Sequence, residues 1–235
     1  MNDTYQKIEL AGPEADQQEI LSCLAEIRAG RLVNDLKLVN YYREIPVSYS
    51  ADVLTVEETS VEFLVHQIQA VAISLEKVTV LKSDHFKRPV IATVNYVNIE
   101  KSRIVLSGFS YATIRADRRM SVRVALIELI RVTFRTEETS TSGHLLDISL
   151  TGVSIQVDQD PGIELSEQGE LTVGLPAGSI AFPASLLKVV PMTSGTRLVF
   201  EVELDRASEV SISQFIFKRQ VEIIKELKEH PGLNL

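Results

Sequence analysis

Four arginines and one aspartate lie within nine residues of this chain, at positions 115–123. The planar guanidinium group of arginine donates paired hydrogen bonds to phosphate oxygens or to O6 and N7 of guanine, and its flat face stacks on a base. The cluster stands out because the chain as a whole is acidic, with a formal net charge of −8. These residues predict a local cationic site suited to phosphate and guanine.

A second polar motif follows at residues 147–152. Asp147 and Ser149 lie two positions apart, so in an extended segment their side chains project from the same face. A carboxylate accepts hydrogen bonds from N1 and N2 of guanine, and a serine hydroxyl either donates or accepts. Gly152 allows a turn or the close approach of a ligand. The motif therefore predicts a small polar shelf at the end of a strand.

Together, the two motifs resemble those of PilZ domains. Arg119 and Arg123 correspond to the arginines of the RxxxR motif, and residues 147–152 correspond to the (D/N)xSxxG motif, in the same order along the chain. The resemblance covers about residues 115–230. The strand-rich region before it resembles the N-terminal domain of the flagellar-brake (YcgR-type) members of the family.

This resemblance implies a receptor for cyclic di-GMP that is not an enzyme and has no catalytic or metal-binding residue. The implied ligand-binding residues are Arg118, Arg119, Arg123, Asp147, Ser149 and Gly152, with Arg115 and Asp117 as further candidate contacts. In the family, an arginine directly before RxxxR goes with the binding of an intercalated ligand dimer. Arg118 therefore implies two ligand molecules per chain, and no other cofactor is implied.

The same resemblance implies a signalling role. Ligand binding changes the domain arrangement of such receptors and regulates motility, surface attachment or exopolysaccharide output. The implied partner is a protein, such as a flagellar motor, polysaccharide or transcription component. A net charge of −8 and 6% aromatic residues disfavour binding to a nucleic-acid polymer.

The elements that position these residues follow from the hydrophobic pattern and from the resemblance. They indicate a mainly β protein with flanking helices and two consecutive β-barrel domains, an N-terminal YcgR-like split barrel and a C-terminal PilZ barrel with a C-terminal helix. The predicted domains are a helical segment at 1–43, a YcgR-like β domain at 44–114, an arginine-rich linker at 115–123 and the PilZ barrel with its helix at 124–235. Helices are predicted at residues 14–29, 31–42 and 207–229. Strands are predicted at 61–65, 71–75, 78–81, 90–97, 104–111, 124–134, 152–157, 170–175, 180–190 and 197–204.

The sequence also gives predictions about cellular location, disulfide bonds and structural zinc. No run of about 18 apolar residues and no basic-apolar leader is present, which predicts a cytoplasmic protein without a membrane span. Cys23 is the single cysteine, so it forms no internal disulfide, and four scattered histidines supply no ligand set for structural zinc.

Other interpretations of the motifs stay open at this point. The arginines could pair with carboxylates such as Asp117, Glu137 and Glu138, and Asp147 and Ser149 could each form a turn. A catalytic triad of His144, Asp147 and Ser149 is disfavoured because the three residues are crowded in one extended segment. The alternative functions are a PilZ-like protein-interaction scaffold that binds no nucleotide and a barrel that binds RNA or single-stranded DNA.

Overall fold

A computed structural model describes residues 5–118 and 121–233 of the chain. Within these residues the chain divides into two compact units. The first unit contains residues 5–118 together with 223–233, and the second contains residues 121–222. No helix among the described residues is long and apolar enough to cross a membrane.

The first unit is a six-stranded antiparallel β-barrel with two helices. Its elements are β1 (Tyr5–Lys7), α1 (Pro13–Arg28), β2 (Lys37–Tyr42), β3 (Ile45–Val56), β4 (Ser60–Val65), α2 (Gln67–Leu75), β5 (Val78–Lys82), β6 (Val90–Asn98) and β7 (Arg103–Ile114). Neighbouring strands run in the order β7-β4-β3-β2-β5-β6, and β6 pairs with β7, which closes the ring. The predicted hairpin of residues 90–97 and 104–111 is therefore confirmed. Ile20 and Leu24 of α1 are fully buried in the same apolar cluster as Phe63 and Leu106.

Two predicted elements of this unit are wrong. Within the helix predicted at residues 31–42, residues 31–36 are irregular and residues 37–42 form strand β2, in which Leu38 and Val39 are buried on opposite faces in two different apolar clusters. A strand buried on both faces loses the alternating pattern, and its apolar residues then fall by chance at helical spacing. The strand predicted at residues 71–75 is part of helix α2, whose residues Ala70–Ile73 are all buried. A helix that is apolar all round has no amphipathic pattern.

The second unit is also a ring of six antiparallel strands, followed by a long helix. Its strands are β8 (Val124–Ala125), β9 (Arg131–Arg135), β10 (Ser140–Ile148), β11 (Gly152–Val157), β12 (Gln168–Leu175), β13 (Gly178–Pro191) and β14 (Thr196–Val202). Helix α3 (Arg206–Lys228) follows, and its residues from 223 onward belong to the first unit. Strands run in the order β11-β14-β13-β12-β9-β10, and β10 pairs with β11 to close the ring. The prediction of two consecutive barrels with a C-terminal helix is confirmed. The domain boundaries stay predictions.

The core of the second barrel contains Phe134 and Phe200, whose ring centroids lie 4.6 Å apart. Both are almost completely buried, as are Ile212 and Ile216 of α3. The closed ring brings β10, β11 and β14 side by side, because β11 pairs with both of the others. These three strands hold the polar residues of the candidate site.

Replacement of Gly143 in β10 by alanine is expected to lower the free energy of unfolding by about 1–3 kcal/mol, the usual cost of overpacking. A Cβ atom at this position would lie 2.1 Å from the carbonyl oxygen of Gln156 in β11, so the two strands would have to separate. Gly174→Ala in β12 is the matched control, because its Cβ atom would lie 3.5 Å from the nearest heavy atom, an ordinary contact. Urea unfolding checks both variants, and equal stabilities would contradict this account of the β10–β11 approach.

Candidate functional site

Asp147 lies near the end of β10 with its carboxylate between two guanidinium groups. Its Oδ2 accepts a hydrogen bond of 2.6 Å from Nη2 of Arg197, and a second from the hydroxyl of Ser154. Its Oδ1 lies 3.2 Å from Nη1 of Arg123. The Asp147 side chain is only 7% exposed, against 22% for Arg123 and 35% for Arg197. A carboxylate this buried is tolerated because cations and hydrogen-bond donors surround it.

The strand pairing explains how these residues meet. Asp147 and Ser154 are direct partners in the β10–β11 ladder, just after a bulge in β10. On the other side of β11, Ser154 is paired with Val199, and Arg197 lies two residues away from Val199 on β14. Side chains two residues apart on a strand share a face, so Arg197 is the diagonal neighbour of Ser154. Arg123 comes from the segment just before β8, whose Val124 pairs with Ile148.

Ser149 and Gly152 form the turn that joins β10 to β11. The backbone N–H of Ser149 donates to the carbonyl oxygen of Gly152 over 2.9 Å, and the Ser149 hydroxyl donates to the same oxygen over 3.1 Å. Ser149 is buried. The turn interpretation of Ser149 therefore matches its observed contacts, while Asp147 makes its contacts across strands.

Gly152 lies where β11 comes close to β14. A Cβ atom there would be 3.0 Å from the carbonyl oxygen of Phe200, 3.9 Å from Nη2 of Arg123 and 4.0 Å from the Ser149 hydroxyl. Arg123, Ser149 and Gly152 are thus neighbours. Of the residues that the sequence singles out, the structure brings together Arg123, Asp147, Ser149 and Gly152.

The cluster contains buried polar atoms without a hydrogen-bond partner. Among the described residues there are five such side-chain atoms, and three of them are Nε of Arg123, Nε of Arg197 and Oδ1 of Asp147. The 3.2 Å contact of Oδ1 with Arg123 is an ion pair but not a hydrogen bond. Buried polar groups are nearly always hydrogen-bonded. Two buried donors and one buried acceptor in one place are therefore left without a hydrogen bond.

The remaining predicted site residues are Arg115, Asp117, Arg118 and Arg119. Arg119 is outside the described residues, and so are the side chains of Asp117 and Arg118. The backbone of residues 115–118 forms one turn of 3₁₀-helix, on which Arg115 is exposed.

Sequence reasoning missed Arg197 and Ser154. Strand 197–204 was expected, so an arginine at its start was visible, but only the pairing of β14 with β11 brings it to Asp147. For Ser154 the available sequence signal was a serine within an otherwise apolar predicted strand. In the structure this serine is completely buried. Such a residue requires a polar partner.

A cavity of about 560 Å³ lies elsewhere in the second unit, between residues 175–180 and one face of α3. None of the predicted ligand-binding residues that the structure describes lines it. Its buried cation, Arg219, is already paired with Glu128 at 2.9 Å and with Glu222 at 2.6 Å. Among the described residues, no group of three or more histidines, cysteines or acidic residues is arranged to hold a metal ion. Nε of Arg219 is also a buried nitrogen without a hydrogen bond, but the Asp147 cluster has three such atoms and contains the described motif residues, which makes it the stronger candidate.

Comparison with known proteins finds a family model that matches part of the chain. The family model described as PilZ domain matches residues 117–218. A protein of Aquifex aeolicus (strain VF5), described as uncharacterized, is 31% identical over 129 residues, which are 54% of this chain and 62% of the relative. The match thus spans about three fifths of the length of that curated relative.

Several solved structures are similar over most of the chain. YcgR of Escherichia coli in complex with c-di-GMP is 12% identical, with 91% of this chain and 96% of that chain covered and a TM-score of 0.46. The MrkH–c-di-GMP complex of K. pneumonia is 15% identical, with coverages of 90% and 95% and a TM-score of 0.43. The motility inhibitor MotI/DgrA of Bacillus subtilis is 14% identical, with coverages of 80% and 95% and a TM-score of 0.42.

Replacement of Asp147 by alanine is expected to lower the free energy of unfolding by about 1–3 kcal/mol, the cost of leaving buried polar partners unsatisfied. The variant removes the carboxylate that neutralises Arg123 and Arg197 and accepts from Ser154. Asp158→Ala, at an exposed aspartate of the same unit, is the control and should leave stability within about 0.5 kcal/mol of the parent. Urea unfolding compares the variants, and an Asp147→Ala protein as stable as the control would show that the ion pairs contribute little.

Proposed function

We propose that the protein is a receptor for cyclic di-GMP and not an enzyme, since the PilZ domain family model matches residues 117–218. The observation that supports this most is the Arg123–Asp147–Arg197 cluster, which lies inside the matched segment and has two donors and one acceptor unpartnered. It also includes Arg123, Asp147, Ser149 and Gly152, the described members of the two motifs.

The chemistry of the cluster suits a guanine nucleotide. Arg123 supplies a guanidinium group for a phosphate or for O6 and N7 of guanine, and Oδ1 of Asp147 accepts from the donors on the Watson–Crick edge of the base. Two guanidinium groups and one carboxylate leave one net positive charge in the cluster. In a chain of net charge −8, that local charge favours an anionic ligand at this position over general attraction of polyanions.

We propose further that ligand binding changes the domain arrangement and so regulates motility, surface attachment or exopolysaccharide output through a protein partner. The ligand must bind one arrangement more tightly than another, because a ligand with equal affinity for both shifts nothing. The partner would be a component of a flagellar motor, of polysaccharide production or of transcription. This part of the proposal comes from the family resemblance of the sequence.

Arg123→Ala is expected to weaken binding of cyclic di-GMP about tenfold to hundredfold, because a bidentate contact of arginine to guanine is worth about 1–3 kcal/mol. Isothermal titration calorimetry of the full chain measures the change. Arg135→Ala removes the same charge from an exposed position of the same barrel and should bind like the parent. GTP and the linear dinucleotide should give no binding. A flat titration of the parent with cyclic di-GMP would contradict the receptor function and favour a protein-interaction scaffold.

Arg118→Ala is expected to reduce the stoichiometry from two cyclic di-GMP molecules per chain to one. This proposal rests on the position of Arg118 directly before the RxxxR motif, where the resemblance implies an intercalated dimer. The same calorimetric titration gives the stoichiometry, with Arg135→Ala again as the charge-matched control. One ligand per parent chain, or two per Arg118→Ala chain, would refute the assignment.

A further inference from the structure

The two arginines that contact Asp147 differ in how firmly the backbone holds them. Arg197 is in the middle of a sheet, with β14 paired at this residue both to Gln156 of β11 and to Val190 of β13. Arg123 belongs to an irregular segment just before the two-residue strand β8. Arg197 therefore has a more rigid backbone than Arg123, because ladder hydrogen bonds restrain it on both sides.

The two oxygens of Asp147 differ in the same way. Oδ2 accepts from Arg197 and from Ser154, two donors on adjacent paired strands. Oδ1 has no hydrogen bond and faces Arg123. The two donors hold the carboxylate in one orientation, with one oxygen bound to them and the other directed toward Arg123.

We propose that Arg197 is a positioning residue that sets the selectivity of the site for guanine, by holding Asp147 so that Oδ1 accepts from the exocyclic amino group of the base. The inference rests on the proposed function and deepens it, since Arg197 belongs to neither of the two sequence motifs.

The contact of Arg197 with Oδ2 of Asp147 indicates what replacement of Arg197 would change. Oδ2 would lose its charged partner, and the carboxylate would be free to turn and make a two-point ion pair with Arg123. Asp147 and Arg123 would then satisfy each other, and the acceptor for the guanine amino group would be lost. A site built to bind a polar group of its ligand discriminates against analogues that lack that group, and it loses this discrimination with the acceptor.

Cyclic di-IMP is the probe for this acceptor, because its hypoxanthine bases lack the exocyclic amino group but keep O6, N7 and N1–H. The full chain is titrated calorimetrically with cyclic di-GMP and with cyclic di-IMP, as the parent, Arg197→Ala, Arg197→Lys and Arg135→Ala. We expect the parent and Arg135→Ala to prefer cyclic di-GMP by about tenfold or more. In Arg197→Ala this ratio should fall to near one, and in Arg197→Lys most of it should return because a cation again reaches Oδ2.

The ratio of the affinities for cyclic di-GMP and cyclic di-IMP distinguishes a positioning role of Arg197 from a merely structural one. If Arg197 only stabilises the barrel, its replacement should weaken the binding of both ligands by the same factor and leave the ratio unchanged. That result would overturn the inference. A parent that binds both ligands equally would overturn it as well. Circular dichroism verifies folding, and Arg197→Gln replaces Arg197→Ala if the alanine variant does not fold. A parent that binds cyclic di-GMP while Arg197→Ala keeps its preference refutes only this inference, whereas a parent that does not bind cyclic di-GMP refutes the proposed function.

Discussion

The ion pairs of one buried carboxylate, that of Asp147, are the interaction on which the candidate site depends. A charge in this position is stable only when donors from several directions surround it. Those donors come from β14, from β11 and from the segment before β8, and they meet at Asp147 only because the ring of strands closes between β10 and β11. Closure of the barrel therefore positions the Asp147 carboxylate between the guanidinium groups of Arg123 and Arg197.

The tight turn after β10 adds a second constraint. Ser149 is bound to the backbone of Gly152, and Gly152 leaves almost no room between β11 and β14. This turn limits the movement of the site, while the irregular segment that contains Arg123 is less restrained. A site with a fixed acceptor loses little conformational freedom on binding, which favours affinity.

The motif residues were predictable because their types report their chemistry. Arginines in an acidic chain and an aspartate, serine and glycine at short spacing were sufficient to single out Arg123, Asp147, Ser149 and Gly152. Arg197 and Ser154 were not predictable, because their roles depend on the register of β14 and β11, which a single sequence does not determine. The errors at residues 31–42 and 71–75 have a different cause. Each of these elements is buried on all sides, and such burial hides the hydrophobic period from which a helix or a strand is predicted. Strand β10 escaped prediction because Ser140, Thr141 and Ser142 interrupt its apolar pattern.

The crystal structure of the full chain with cyclic di-GMP tests the central claim most directly. The account predicts a guanine base against Arg123, with its exocyclic amino group within hydrogen-bond distance of Oδ1 of Asp147 and with Arg197 still bound to Oδ2. A ligand bound away from these side chains, or a guanine whose exocyclic amino group makes no contact with Oδ1 of Asp147, would contradict it.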